Sequence, residues 1–144
     1  MSVSNKPNSA KRVQYAALPF RRRRTAGTEV LLVTSRQTGR WIIPKGWPIK
    51  RKAPHTAAAQ EALEEAGVVG RVRRRSIGSY QYEKRLKNGE AILCKVQVFP
   101  LEVERQERTW PEKGKRKVKW FSPDKAAATV DEAVLRDIIR KLPG

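Results

Sequence analysis

Cysteine and histidine occur once each in the 144 residues of this chain. A lone Cys94 cannot close an internal disulfide, which excludes a disulfide-stapled scaffold and points to a reducing, cytoplasmic setting. It sits in the apolar run from Ala91 to Phe99, where a thiol reads as an inert core residue. The one histidine, His55, reads as a loop residue near a helix start. Long hydrophobic runs are missing too. The longest, such as Val30 to Val33, fall far short of the roughly 20 apolar residues a bilayer-spanning helix needs, so no membrane partner is expected. Met1 to Arg12 lack the apolar centre of a secretory signal. Neither a Gly-x-Ser-x-Gly elbow nor a Gly-x-x-x-x-Gly-Lys phosphate loop is present, which removes two common hydrolytic schemes. Acidic residues are scarce: 14 Asp and Glu face 32 Lys and Arg, for a formal charge of +18. Such a charge costs self-repulsion and suits polyanionic partners, whether nucleic acid, phospholipid head groups or highly phosphorylated small molecules.

The length and a 39% hydrophobic content suit one domain. Residues 1–11, polar and poor in apolar side chains, read as a disordered tail ahead of a domain over 12–144. Val13 to Phe20 and Glu29 to Thr34 read as a hairpin across the basic stretch Arg21 to Thr28, and Trp41 to Pro44 as a short extended piece. Pro54 suits a first helical turn, Ala57 to Ala66 is rich in helix formers, and Gly67 supplies the stop. Val69 to Tyr82 and Ala91 to Val103 read as strands joined by the Asn88-Gly89 turn, the second central in its sheet. Val118 to Phe121 is expected as a last strand. Pro123 to Ala128 and Asp131 to Leu142 are expected as helices, the latter with Val134, Leu135, Ile138 and Leu142 facing the core.

On a helical wheel, Ala59, Ala62, Leu63 and Ala66 share one face of the Ala57–Ala66 segment, and Glu61, Glu64 and Glu65 cluster on the other. Carboxylates spaced i, i+3 and i+4 repel one another by a few tenths of a kcal/mol per pair. No basic residue lies between Ala53 and Val69 to neutralise them. A divalent cation is one offset, since magnesium takes one or two carboxylates, waters and substrate phosphates. Pairing with Arg or Lys from elsewhere in the fold is the other.

The stretch from Gly46 to Val68 resembles the Nudix signature: Gly, five residues, Glu, seven residues, Arg-Glu-Leu-x-Glu-Glu-x-Gly and an apolar residue. Gly46, Glu61, Glu64, Glu65, Gly67 and Val68 match at the required spacing. Lys52 and Gln60 stand where the first Glu and the Arg are expected, a coupled exchange that leaves the three carboxylates in place. Arg40 to Pro44, Trp110 and Arg116 to Phe121 further resemble the diphosphoinositol polyphosphate and diadenosine polyphosphate hydrolase branch. The resemblance implies an α/β fold, an α/β/α sandwich with a mixed β-sheet flanked by helices. It implies magnesium, with manganese as a substitute, held by Glu61, Glu65 and the main-chain carbonyl of Lys45. Glu64 would be the general base, with carboxylates of Glu102, Glu104, Glu107 and Glu112 as rivals. Arg12, Ser35, Arg36, Arg40, Arg85 and Lys117 match the branch's phosphate-binding positions, and Trp47 is the candidate for stacking on a base. The implied reaction is hydrolysis of a phosphoanhydride in a small polyphosphorylated substrate, such as a dinucleoside polyphosphate or an inositol pyrophosphate. Two other readings stay open, a pyrophosphohydrolase acting on RNA ends and a catalytically weakened scaffold binding nucleic acid.

Overall fold

The computed structural model describes residues 12–142, so the tail expected over 1–11 lies outside the described residues. Eight strands form one sheet: β1 (Val13–Arg23), β2 (Gly27–Thr34), β3 (Trp41–Ile42), β4 (Lys45–Gly46), β5 (Val68–Val72), β6 (Gly78–Arg85), β7 (Ala91–Gln106) and β8 (Val118–Phe121). Among the described residues three helices accompany them: α1 (Pro54–Ala66), α2 (Pro123–Thr129) and α3 (Ala133–Arg140). The sheet is mixed. Its spine is β7, which runs parallel to β1 from Lys95 to Glu102 and takes β6 and then β5 antiparallel along its other edge. The remaining pairs, including β2 with β1, β3 and β8, are antiparallel.

Alternation along the strands divides the core between two faces. Leu18, Phe20, Val30, Leu32, Val96 and Val98 meet Ala126, Leu135, Ile138 and Ile139 of α2 and α3. Ala17, Leu31, Val33, Phe99 and Leu101 meet Ala58, Ala62 and Ala66 of α1. This is the expected sandwich of helices about a mixed sheet, and it explains why the central strands carry apolar residues on both sides. Cys94 is buried, as its position in β7 suggested, and burial pushes its thiol pKa up.

Three expectations need correction. Arg21 to Arg23 belong to β1, because Arg21 pairs with Glu29 across the ladder and closes on its carboxylate at 2.8 Å, so the hairpin turn shrinks to 24–26. The single strand over Val69 to Tyr82 is two. A register shift between Val69 and Gly70, where a Cβ would strike the Glu102 carbonyl, lies inside β5, and the ladder breaks further on, between the Arg73 N–H, which donates to the Pro100 carbonyl, and the Ile77 N–H, which donates to that of Val98. The last helix starts at Ala133, and Val134 is 51% exposed while Ile139 takes its place in the core.

Candidate active site

Helix α1 positions the acidic cluster. Pro54 supplies a preset φ at the first turn, placing His55 inside the helix rather than in a loop. Gly67 closes it in the left-handed region at φ 72°, its N–H donating to the Leu63 carbonyl, and the Trp110 ring packs where a Cβ would project. The buried stripe is Ala57, Ala58, Ala62 and Ala66, whose small side chains let the helix sit close on the sheet. That stripe is rotated from the wheel reading: Leu63 is 37% exposed, and Glu65 is only 4% exposed. The carboxylates therefore do not share a solvated face. Glu61 and Glu64 are half-buried and Glu65 is buried.

Burial raises the Glu65 pKa to about 8, and it raises that of Glu61 as well. One Glu65 oxygen, Oε1, is buried without a hydrogen-bond partner. The basic partner missing from the helix comes from the segment before β8. Arg116 reaches Glu65 Oε2 at 3.9 Å, binds Glu112 Oε1 at 2.7 Å and donates to the Thr34 carbonyl at 3.0 Å. Of the two offsets left open by the sequence, pairing with a distant base is thus realised in part, and Glu65 Oε1 stays unpaired. Glu61 is packed against Gly46, where an added Cβ would overlap its carboxylate. The required glycine of the motif is therefore explained by the chain's own packing.

Next to Gly46, the Ala17 N–H donates to the Pro44 carbonyl at 3.0 Å, which makes Ala16 and Lys45 a non-hydrogen-bonded pair of the β1–β4 ladder. The Lys45 carbonyl consequently faces away from β1. Its ammonium lies 4.8 Å from the centre of the Tyr82 ring, and burial lowers its pKa to about 8, with Glu65 opposing that shift. Among the described residues no group of three or more acidic, His or Cys side chains is assembled for a metal. The available donors are two carboxylates and a carbonyl. An orphaned carboxylate oxygen and two crowded carboxyl groups fit a hard divalent cation that keeps waters to complete its shell.

Two adjoining cavities open beside Lys45 and Tyr82, one of them reaching Glu65. The inner one, about 190 Å³, is lined by Gln14, Arg36, Lys45, Glu65, Tyr82 and Arg116 among others. The outer, about 290 Å³, shares Ser35, Lys45 and Tyr82 and adds Arg40, Arg85 and Glu132. Four of the six expected phosphate-binding residues, Ser35, Arg36, Arg40 and Arg85, are thus brought together, while Arg12 and Lys117 line neither cavity. Arg40 pairs with Asp131 at 3.0 Å. Glu64 faces a different, apolar hollow with Leu63 and Val69, and its Oε2 accepts a 2.9 Å bond from Gln60 Nε2. Gln60 therefore braces Glu64, and exposed Lys52 makes no ion pair among the described residues, so the two replacements do not act on each other. Of the rival carboxylates only Glu112 reaches the site; Glu102 and Glu104 lie near Arg71 and Glu107 pairs with Arg105. Trp47 is 40% exposed and lines neither cavity. Sequence reading missed the Lys45 ammonium, the Tyr82 hydroxyl held by Gln14 at 2.7 Å, and the pairing of Arg116. Only Arg116 had a sequence signal, its place in the branch-like segment.

Comparison with known proteins agrees with the fold. A family model described as a NUDIX domain matches residues 11–142. Nudix hydrolase 21, chloroplastic, of Arabidopsis thaliana is 32% identical over 126 residues, covering 85% of this chain and 61% of that protein. Diphosphoinositol polyphosphate phosphohydrolase 3-alpha of Mus musculus is 35% identical over 114 residues, 77% of this chain and 64% of that protein. Against three of the Arabidopsis relatives the chain spans 61%, 63% and 51% of their length. The solved C. elegans Ap4A hydrolase has a TM-score of 0.62 at 18% identity, over 90% of this chain and 93% of that one. The NUDIX domain of Shewanella oneidensis NrtR, complexed with ADP ribose, reaches 0.67 at 16% identity over 97% and 93%. At these identities the structural likenesses speak for the fold.

Proposed function

The chain belongs to the Nudix family, and from that membership we propose that it hydrolyses a phosphoanhydride linkage in a small polyphosphorylated substrate, with magnesium as its cofactor. The observation that carries this reading is Glu65, a buried carboxylate with one oxygen unpartnered, set at the wall of a cavity that also holds Lys45 and Arg116. Glu61, Glu65 and the Lys45 carbonyl would hold the cation. When bound, it neutralises phosphate oxygens and lowers the pKa of a water.

The chain's own residues do the rest. Lys45, Arg36 and Arg116 bring positive charge to the inner cavity, and Arg40, Lys84 and Arg85 bring it to the outer one. A substrate with phosphates on both sides of the scissile bridge would meet charge along its length, which supports a dinucleoside polyphosphate or an inositol pyrophosphate. The name of the mouse relative fits that class. Glu64, bonded to Gln60 on a hollow apart from both cavities, is the base that the family resemblance supports; Glu112, whose partner Arg116 lines the inner cavity, is the rival that position supports. No helix among the described residues is long and apolar enough to cross a membrane, and a cytoplasmic setting remains part of the proposal.

The test is phosphate or nucleotide release, with and without magnesium, from diadenosine polyphosphates, inositol pyrophosphates, nucleoside triphosphates and capped RNA. Glu64→Gln, Glu65→Gln and Glu112→Gln are assayed beside the parent chain. Magnesium-dependent turnover lost in Glu65→Gln supports the reading, and retained magnesium binding without turnover marks the base. Absence of turnover across the panel by a folded, magnesium-binding chain refutes it.

A further inference from the structure

The charge of +18 is more than the cavities beside Glu65 use. At the opposite end of β2 lies a second basic surface. The hairpin joining β1 and β2 carries Arg21, Arg22, Arg23 and Arg24 in succession, of which the last three are exposed. Edge strand β8 pairs only with β2, and its end lies beside the hairpin base, with Val30 opposite Phe121. It contributes Lys119, and the helix that follows contributes Lys125, both exposed. Glu29 and Asp124 are the nearby acids, and Glu29 is spent on Arg21 and Arg23. Six cations thus face two acids.

Charge alone would describe a solvated surface. Aromatic rings among the cations distinguish this one. The Arg21 guanidinium lies 3.9 Å from the centre of the Trp120 ring and the Lys119 ammonium 5.3 Å from that of Phe121. Trp120 packs on the α1 side of the sheet and Phe121 on the α2 side, so the two pairs flank the edge strand β8 from opposite faces; a groove of about 440 Å³ at this edge is lined by Lys119, Trp120, Phe121, Ser122, Lys125 and Thr129. Planar faces interleaved with cations suit a ligand that alternates planar groups with phosphates. We infer that this groove and the arginine hairpin form a binding surface for single-stranded nucleic acid, separate from the catalytic cavities. Bases stack in the groove at Phe121 and, around the edge of β8, on the Arg21–Trp120 pair of the other face, while phosphates run along Arg22, Arg24, Lys119 and Lys125. A duplex hides its base faces and gains only the charge. The eight residues of β2 put about 25 Å between the arginine hairpin and the cavity that begins at Ser35, at ~3.3 Å per residue, while Lys119, opposite Leu32, lies nearer. The groove shares no lining residue with either catalytic cavity.

The experiment uses the full chain and a fluorescent 12-nucleotide single strand, with anisotropy read across a salt series. Two triple variants are compared: Arg22→Gln, Arg24→Gln, Lys119→Gln on the surface, and Arg73→Gln, Arg74→Gln, Arg75→Gln in the segment between β5 and β6 as an equal loss of charge elsewhere. The surface triple is expected to weaken binding at least tenfold near 0.1 M salt and to flatten the log–log salt slope by about 2. The control triple is expected to change affinity less than threefold. The parent chain should favour the single strand over a matched duplex and over inorganic polyphosphate of equal charge. Photocrosslinking of the parent chain should map to residues around Trp120 and Phe121. Equal losses in the two triples, equal affinity for duplex or polyphosphate, or crosslinks confined to the catalytic cavity would each overturn the assignment.

Discussion

Replacing Gly46 with alanine separates the role of the acidic site from the stability of the fold. Gly46 does not occupy the left-handed region, so an alanine backbone is unstrained there. Its Cβ would overlap Glu61 Cδ and Oε2 and stand 2.8 Å from Oε1. Ordinary contact begins near ~3.5 Å, so the whole carboxylate must swing away by roughly 1 Å or more. The displaced atoms are the end of a half-buried side chain rather than backbone, and overpacking of that kind costs about 1 kcal/mol, offset in part by the lower unfolded-chain entropy of alanine. Stability should therefore stay within ~1 kcal/mol of the parent in a urea titration. Function should not. Moving a cation-binding carboxylate by that distance is expected to lower magnesium-dependent turnover about 100-fold and weaken magnesium binding, read by calorimetry. A folded Gly46→Ala chain whose turnover and magnesium affinity match the parent within threefold would refute the placement of Glu61 in the cation site.

Gly67→Ala should behave in the opposite way, because φ there is 72° and the Trp110 ring fills the Cβ position; urea unfolding should show a loss of about 2–4 kcal/mol. Arg116→Leu strips the half-buried pair from Glu112 and the nearby charge from buried Glu65, and should cost about 2 kcal/mol of stability without metal, with part of that loss restored by magnesium in thermal unfolding. Without metal, pH should matter in a stated direction. Burial raises the folded pKa of Glu65 to about 8 from 4.5, so the folded state keeps a proton that the unfolded state has released. Stability is then fully present below pH 4.5 and falls as pH rises toward 8. Saturating magnesium should flatten that fall, and Glu65→Gln should reduce it to the share contributed by Glu61, whose pKa burial also raises; unfolding midpoints measured across the range give the answer.

The pattern from Gly46 to Val68 was legible because it is local: helix formers, a proline start, a glycine stop and carboxylates at fixed spacing all sit within one segment. The central place of β7 was legible as well, since only a strand covered on both faces carries so continuous an apolar run. What escaped depended on partners distant in sequence. The wheel could not tell that Glu65 rather than Leu63 would be buried, because the helix rotation is set by three alanines seating on the sheet. Arg116 meets Glu65 from a segment about fifty residues away, and Gly70 is needed at the register shift of β5 because a Cβ there would strike the Glu102 carbonyl. Lys45 was named for its carbonyl, and only the folded sheet shows its ammonium buried beside Tyr82.

The cation site itself is the central claim, and anomalous scattering from crystals soaked in manganese addresses it directly. The expected result is a peak within coordinating distance of Glu61 and Glu65, close to the Lys45 carbonyl, absent from Glu65→Gln crystals. A peak elsewhere, or none while Arg116 still faces Glu65, would contradict the assignment of these carboxylates as the metal ligands.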